Sequence, residues 1–349
     1  MTKSRWLILF ALFLARSSMG FQFQTVASTA PFLARAFGVG YTEIGMLIGL
    51  YMLPGIVIAL PGGMLGKRFG DKRICAAGLL LMIVGGIVFA SSASFAAAFT
   101  GRLVSGVGAV LFNLVLTKMV TDWFAGREIV TAMGAVLASW PFGIGVALVV
   151  QAPLAASAYG WPAVMDAAAG LCALALLLVG AVYRPPDAVR AVAAQARAQA
   201  QAQAPRPGAL IPLREALPSA TAGVIWGVFN VGLIVFFSFV PGLLAEQGMA
   251  LAEAGVLTSL GLWTSMASTA LGGFLAERSG HPHAAIVVFS ALSGLVMVLL
   301  PFLPLAATLS RCSASSSDRR PARSWRCRRR CCVPRTAPSV SASSIPSTT

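Results

Sequence analysis

The chain has 349 residues, of which 57% are hydrophobic and only 11% are charged, and its mean hydropathy is +0.82. This composition excludes a soluble globular protein and indicates an integral membrane protein, so the lipid bilayer is its expected partner. The net charge of +15 lies in short loops between apolar runs and in a basic C-terminal tail. That distribution is typical of one face of a membrane protein, and we expect no nucleic-acid partner.

Nine apolar segments are long enough to cross a bilayer, which takes about 20 residues of helix. The first follows Lys3 and Arg5, as a signal peptide would, but eight further segments favour an uncleaved first span. The fold class is therefore all-α, a polytopic helical bundle. The predicted spans, numbered 1 to 9, are 6–27, 43–63, 74–92, 97–120, 129–150, 163–182, 219–243, 253–276 and 284–305.

The lysines and arginines between the spans predict the orientation of the chain. If the N-terminus is cytoplasmic, the inner loops hold most of these residues and the outer loops hold Arg35 alone. This asymmetry favours a cytoplasmic N-terminus. The bias towards Ala, Gly and Arg is typical of a GC-rich bacterial gene, so we expect the inner (plasma) membrane.

A long polar stretch separates the first six spans from the rest. Residues 183–218 contain a low-complexity Ala/Gln run followed by Pro205 and Pro207, which indicates a cytoplasmic linker. We therefore expect a six-helix half in residues 1–182, the linker in 183–218, and a partial second half of three helices in 219–305.

A charged turn between apolar runs occurs twice, 210 positions apart. Residues 62–73 read Gly-Gly-Met-Leu-Gly-Lys-Arg-Phe-Gly-Asp-Lys-Arg, and residues 272–280 read Gly-Gly-Phe-Leu-Ala-Glu-Arg-Ser-Gly. The glycines allow a tight turn and close helix contact, and the helix dipole favours an arginine at a helix C-terminus. The repeat predicts a membrane protein built from two related halves. Taken alone, the first copy has an alternative reading as a basic loop that only sets topology.

These turns resemble the signature loop of the major facilitator superfamily, Gly-x-Leu-x-Asp-Arg-x-Gly-Arg-Lys/Arg. Lys67 stands where the family usually has the aspartate that pairs with charges on neighbouring helices. The residues that we assign to the motif and to conformational change are Gly63, Leu65, Arg68, Gly70 and Arg73 in the first turn and Gly273, Glu277, Arg278 and Gly280 in the second.

Two further stretches resemble the family. Residues 102–109, Arg-Leu-Val-Ser-Gly-Val-Gly-Ala, are similar to the Arg-x-x-x-Gly-x-Gly-Ala pattern of its fourth helix, and residues 122–128 contain the Trp-Phe-x-x-Arg pattern of the loop that follows. The resemblance implies a monomeric secondary transporter that binds a small solute between two halves and works by alternating access. No catalytic or metal-binding pattern accompanies it, so we expect no enzyme activity, no cofactor and no metal.

Arg16 is the first candidate for substrate binding. It lies ten residues into span 1, about 15 Å deep at about 1.5 Å per residue, and a charge at that depth is usually functional. Its forked donor suits an anion such as a carboxylate or a small oxyanion. The alternative is a structural partner of helix ends or carbonyls. Gln22 and Gln24 follow, and they either bind the substrate or face a neighbouring helix.

Span 4 supplies Asn113 as a further substrate-binding candidate, and Arg102 and Gly106 as residues that we assign to the motif and to conformational change. Arg102 and Asn113 are eleven residues apart, so at about 100° per residue they point the same way, towards the expected cavity. The resemblance links this arginine to substrate or proton handling, and an interfacial structural arginine is the alternative. Gly106 lies between them, where it would let another helix approach.

Trp140 in span 5 and Asn230 in span 7 complete the predicted substrate-binding set, with packing as the alternative for each. Trp140 precedes Pro141, which is expected to kink the helix. The predicted spans contain no carboxylate at mid-membrane, so the sequence offers no support for proton coupling.

The last segment, 306–349, differs from the rest because it is rich in Ser, Arg, Pro and Cys and has almost no apolar run. The superfamily has twelve helices, and only nine are predicted here. We expect an out-of-frame tail after Leu309, with the loss of three helices and of transport, and a native disordered basic tail is the alternative. The other function considered is a non-transporting membrane protein on the same scaffold, such as a sensor or a partner subunit.

Overall fold

The computed structural model describes residues 2–58, 66, 69–124, 128–184, 213–264, 291 and 295, which are almost entirely helical and contain no strand. All of them belong to a compact unit, Met1–Thr308. A second unit, Leu309–Thr349, lies outside the described residues, together with most of the predicted linker and of predicted span 9.

The helices follow one another in the order that the apolar segments predict. We label them α1 (Thr2–Ser28), α2 (Ala30–Phe37), α3 (Tyr41–Leu50), α4 (Asp71–Ala90), α5 (Phe95–Phe124), α6 (Ile129–Ala155), α7 (Gly160–Val182), α8 (Leu213–Glu246) and α9 (residues 251–264).

Six of the described segments are long and apolar enough to cross a membrane: Arg5–Ser28, Tyr41–Ile58, Asp71–Ala90, Phe95–Phe124, Thr131–Ala155 and Gly160–Val182. They coincide with predicted spans 1 to 6, which are therefore confirmed as apolar helical segments of membrane-spanning length, although span 2 contains a turn. Predicted span 7 lies within α8, and the described part of predicted span 8 is α9. The fold is a helical membrane bundle.

Predicted span 2 is not one uninterrupted helix. After α3 the chain makes a turn over residues 51–53, and helix resumes at Pro54 for residues 54–58. Proline has no N–H to continue the ladder and disfavours helical backbone in the residue before it, which accounts for the interruption.

The short helix α2 lies between predicted spans 1 and 2 and was not predicted. Pro31 stands in its first turn, and Gly38 caps its end in the left-handed conformation, with φ of 64°. Proline is common in the first turn of a helix and glycine just after its last turn. Pro31 and Gly38 therefore marked both ends of α2 in the sequence.

The spans pack through small residues. Gly78 and Gly85 of α4 face Gly108 and Gly101 of α5, each against the other helix's backbone, so a side chain at any of them would collide with the partner helix. Small residues of this kind let membrane helices approach closely. α1 packs against α5, α6 and α7 and is the most buried of the six spans. Its residues are therefore well placed to form the centre of the bundle.

Candidate substrate-binding site

Helices α1, α6 and α8 meet at three aromatic rings. Phe23 of α1 lies 5.6 Å from Trp140 of α6 and 5.9 Å from Phe237 of α8, measured between ring centroids, and Trp140 lies 5.9 Å from Phe237. Gln24 adds a hydrogen bond from its Nε2 to the Phe237 carbonyl oxygen, at 3.0 Å. The cluster thus joins helices from the first six spans to the first helix after the linker.

The depth of each residue follows from the contacts between α1 and α5. Near one end, the Trp6 ring of α1 packs on Phe124 of α5, with centroids 5.5 Å apart. Near the other end, Arg102 of α5 bonds to the Phe23 carbonyl oxygen of α1. The two helices are therefore antiparallel, and residues midway between these contacts lie at about the same depth.

Arg16 and Asn113 both lie near this midpoint, on α1 and α5 respectively. The Arg16 Nε and the Asn113 Oδ1 are each buried and have no hydrogen-bond partner. Among the residues that the structure describes, no carboxylate forms an ion pair with Arg16. A guanidinium inside a membrane span is costly when its Nε has no partner, and such a charge is usually kept for function.

Trp140 and Gln24 also present unpartnered polar atoms. The Trp140 Nε1 and the Gln24 Oε1 are buried and make no hydrogen bond. Gly20, one turn beyond Arg16, packs directly against the Trp140 carbonyl and indole. Trp140 therefore packs on α1 one helical turn from Arg16, at the level of the aromatic rings.

Arg102 is used differently from Arg16, because each donor nitrogen of its guanidinium has a protein partner. It donates from Nη1 to the Gln22 carbonyl at 3.0 Å, from Nη2 to the Phe23 carbonyl at 2.6 Å, and from Nε to the Leu47 carbonyl at 3.0 Å. Its Cζ lies 4.4 Å from the centroid of the Tyr51 ring, a cation–π distance. Arg102 is only 2% exposed and ties α1 to α3 and α5.

Gln22 belongs to the same network. Its Nε2 donates to the Met82 carbonyl of α4 at 2.8 Å, and its Oε1 accepts a hydrogen bond from the Tyr51 hydroxyl at 3.2 Å. Both ends of its amide are thus used by neighbouring helices. Gly106 contributes space, because a side chain there would collide with the Tyr51 backbone.

Asn230 lies on α8, seven residues before Phe237. Seven residues are close to two helical turns, so both lie on the same face of α8. Pro141 follows Trp140 inside α6, and the helix continues beyond this proline to Ala155.

The described part of the signature turn fixes helix ends. Gly70, with φ of 88°, precedes α4, and this left-handed backbone favours glycine. Asp71 then pairs with Lys118 of α5, with Nζ and Oδ2 2.5 Å apart. Lys72 donates to the Gly180 and Tyr183 carbonyls at 2.7 and 2.9 Å, where a cation stabilises the C-terminus of α7.

The other members of the two turns are less informative. Arg73 is exposed on α4. The predicted motif residues that lie outside the described residues are Gly63, Leu65, Arg68, Gly273, Glu277, Arg278 and Gly280.

A family model described as Major Facilitator Superfamily matches residues 12–314. The chain belongs to the Major Facilitator Superfamily. It is therefore a multi-pass membrane transporter of that family.

Curated relatives of this superfamily chain are transporters. The 3-(3-hydroxy-phenyl)propionate transporter of Escherichia coli is 28% identical over 299 residues, which cover 82% of this chain and 69% of the relative. The hexuronate transporter of Bacillus subtilis is 21% identical over 320 residues, covering 88% and 74%. An uncharacterized transporter of Buchnera aphidicola is 26% identical over 136 residues, and the match spans only 34% of that relative's length.

Solved superfamily structures share the fold. The crystal structure of the D-xylose-proton symporter superposes with a TM-score of 0.63 at 16% identity, covering 78% of this chain and 69% of that one. A bacterial homolog of the human lysosomal transporter Spinster, in an inward-facing and unoccupied conformation, gives 0.61 at 17% identity, covering 80% and 64%. At these identities the likeness shows the arrangement of helices alone.

One residue of the candidate site, Phe237, and one further buried polar residue of this transporter, Gln151, were missed in the sequence. Phe237 sits in an uninterrupted apolar run, which carries no signal that distinguishes one phenylalanine from the next. Gln151 donates from Nε2 to the Phe21 carbonyl at 2.8 Å, and its Oε1 is buried without a partner. This glutamine stands one residue beyond predicted span 5, and a polar residue at that position was a usable signal.

Proposed function

We propose that this superfamily transporter carries a small organic anion whose carboxylate is held by Arg16. The observation that carries the proposal is the buried, unpartnered Nε of Arg16 at the middle of α1, with no acid paired to it in the part of the chain that is described. A guanidinium fork binds a carboxylate with two parallel hydrogen bonds. The two relatives named for their substrates, 3-(3-hydroxy-phenyl)propionate and hexuronate, support the proposal because both compounds are carboxylates.

The proposed mechanism is alternating access between two halves, residues 1–182 and 219–305, joined by the linker 183–218. Phe23 and Trp140 belong to the first half and Phe237 to the second, so their ring contacts must separate whenever the halves open at this level. The hydrogen bond from Gln24 to the Phe237 carbonyl must break in the same movement. Arg102 and Gln22 hold α1 to its own half, and this keeps Arg16 in place while α8 moves.

The proposal is tested by ligand binding to the purified protein in nanodiscs, measured by isothermal titration calorimetry. A panel of carboxylates and their uncharged amides is the probe. Removing one partner of a buried charge pair costs about 2–5 kcal/mol, so Arg16→Ala should weaken carboxylate binding at least about 30-fold. Arg16→Lys should also bind weakly, because a lysine lacks the fork.

Arg35→Ala is the matched control, because Arg35 is exposed on α2 and its loss should leave binding unchanged. If Arg16→Ala bound carboxylates as tightly as the parent, or if the amides bound as well as the acids, Arg16 would be a structural residue and the anion proposal would fail. Counterflow of a labelled acid in liposomes distinguishes a carrier from a sensor on the same scaffold.

We further propose that the N-terminus is cytoplasmic and that the chain resides in the inner membrane, on the strength of the basic inner loops. Single cysteines at Ala196 in the linker and at Ala156, which is exposed at the end of α6, should react from opposite sides of the membrane. The background variant lacks the native cysteines. Labelling of Ala196→Cys in intact cells by an impermeant maleimide would reverse the proposed orientation.

A further inference from the structure

The proposed anion site presents two kinds of unsatisfied polar atom. Arg16 Nε and Trp140 Nε1 are hydrogen-bond donors, and Gln24 Oε1 and Asn113 Oδ1 are acceptors. A carboxylate satisfies donors only, because it has no hydrogen to give. A buried acceptor without a donor is unfavourable, so these atoms favour a ligand that also donates a hydrogen bond.

Gln24 is the acceptor whose direction is fixed by the protein. Its side chain is fully buried, with 0% exposed. The amide nitrogen faces the Phe237 carbonyl oxygen at 3.0 Å, and the opposite amide orientation would bring two oxygens together. The free atom is therefore Oε1, an acceptor, and a hydroxyl or N–H group of the ligand is its natural partner.

Aromatic rings lie within the interval that separates Arg16 from Gln24 along α1. Arg16 and Gln24 are eight residues apart on α1, which is about 12 Å along the helix axis. Phe23, Trp140 and Phe237 pack at the Gln24 end of this interval, in tilted and edge-to-face contacts. Aromatic side chains prefer such contacts with another ring, so these three rings favour a ligand whose apolar body is itself aromatic.

Resting on the proposed anion function, we infer that the substrate is a hydroxyaryl carboxylate. Its carboxylate binds Arg16 and the Trp140 N–H, its ring lies against the three aromatic side chains, and its hydroxyl donates to Gln24 Oε1. A polyhydroxylated acid such as a hexuronate fits this site less well. Each of its hydroxyls needs a partner when it is buried, and the aromatic side chains offer none.

The ligands themselves provide the first test, on the unchanged full chain in nanodiscs by isothermal titration calorimetry. The probes are 3-(3-hydroxyphenyl)propionate, 3-phenylpropionate, 3-cyclohexylpropionate and D-glucuronate. We expect the hydroxyaryl acid to bind about 10-fold more tightly than the phenyl acid, as a net hydrogen bond of about 1.4 kcal/mol predicts. The cyclohexyl acid should bind a further several-fold more weakly, and glucuronate should bind most weakly of the four.

Variants locate the hydroxyl contact. Gln24→Met should bring the ratio of hydroxyaryl to phenyl affinity from about 10 to about 1. Asn113→Leu removes the acceptor that lies at the depth of Arg16, away from the proposed hydroxyl contact, and should leave that ratio near 10. The ratio is the readout because Gln24→Met also removes the bond to the Phe237 carbonyl, which lowers both affinities together. Trp140→Phe keeps a ring but loses the N–H, so it should weaken both acids equally.

The possible results distinguish a failure of this inference from a failure of the proposed anion function. If 3-phenylpropanamide bound as tightly as 3-phenylpropionate, the anion function itself would fail. If acids bound better than the amide but glucuronate or the cyclohexyl acid matched the hydroxyaryl acid, only the present inference would be overturned. An unchanged ratio in Gln24→Met, or no binding of the hydroxyaryl acid at millimolar concentration, would overturn it as well.

Discussion

Removing the Arg102 side chain should destabilise the bundle more than the loss of any exposed arginine. In Arg102→Met the three hydrogen bonds to the carbonyls of Gln22, Phe23 and Leu47 are lost together. Hydrogen bonds between membrane helices contribute about 0.6 kcal/mol on average and up to about 1.7 kcal/mol each. We therefore expect the free energy of unfolding to fall by about 2–5 kcal/mol, with the lost contact to the Tyr51 ring included at the upper end.

The Arg102 variants can be compared by unfolding the purified protein in mixed detergent micelles with SDS, followed by circular dichroism at 222 nm. Arg102→Lys keeps the charge but has a shorter reach and no fork, so it leaves a buried cation with fewer acceptors and should be no more stable than Arg102→Met. Arg35→Met is the control and should change stability by less than about 0.5 kcal/mol. Equal stability of Arg102→Met and the parent would refute the role of Arg102 as a tie between helices.

Two further predictions concern helix contacts. Asp71→Asn should lower stability by about 1 kcal/mol or less, because Lys118 is half exposed. The exchanged pair Asp71→Lys with Lys118→Asp should recover only part of this loss, because a lysine in the first turn of α4 opposes the helix dipole; full recovery would show that the dipole is unimportant there. Gly143→Ala should destabilise by about 1–3 kcal/mol, since its Cβ would collide with the Ser17 carbonyl of α1. Gly134→Ala on the same helix, where nothing lies nearby, should be neutral or slightly stabilising; equal effects of the two alanines would contradict the close contact.

The spans were predictable because their signal is local. A helix that crosses a bilayer satisfies its own backbone and needs about 20 apolar residues, and both requirements can be read from a single stretch of sequence. Interruptions depend on single residues, so they were harder to place. The turn before Pro54 and the cap at Gly38 show that proline and glycine carried that information too.

The roles of the polar residues were only partly predictable, and Gln22 and Gln24 show why. Two residues apart on a helix, they point about 200° apart, so they cannot both face the same partner. Gln22 reaches Met82 and Tyr51 on one side, whereas Gln24 reaches Phe237 on the other. The opposite directions follow from helix periodicity alone. Which of the two glutamines faces the second half depends on how helices that are distant in sequence pack together. A local sequence pattern does not contain this information.

The charges of the signature turn show that the position of a charge relative to helix ends can matter more than its place in a motif. Lys67 occupies the position of the family's acid and lies outside the described residues. Asp71, four residues later, begins α4 and pairs with Lys118, so a negative charge lies where the dipole of α4 favours it. Lys72 places a positive charge on the last carbonyls of α7. Two adjacent residues of opposite charge therefore each stabilise a different helix end, and exchanging them would place both charges against the dipoles they now complement.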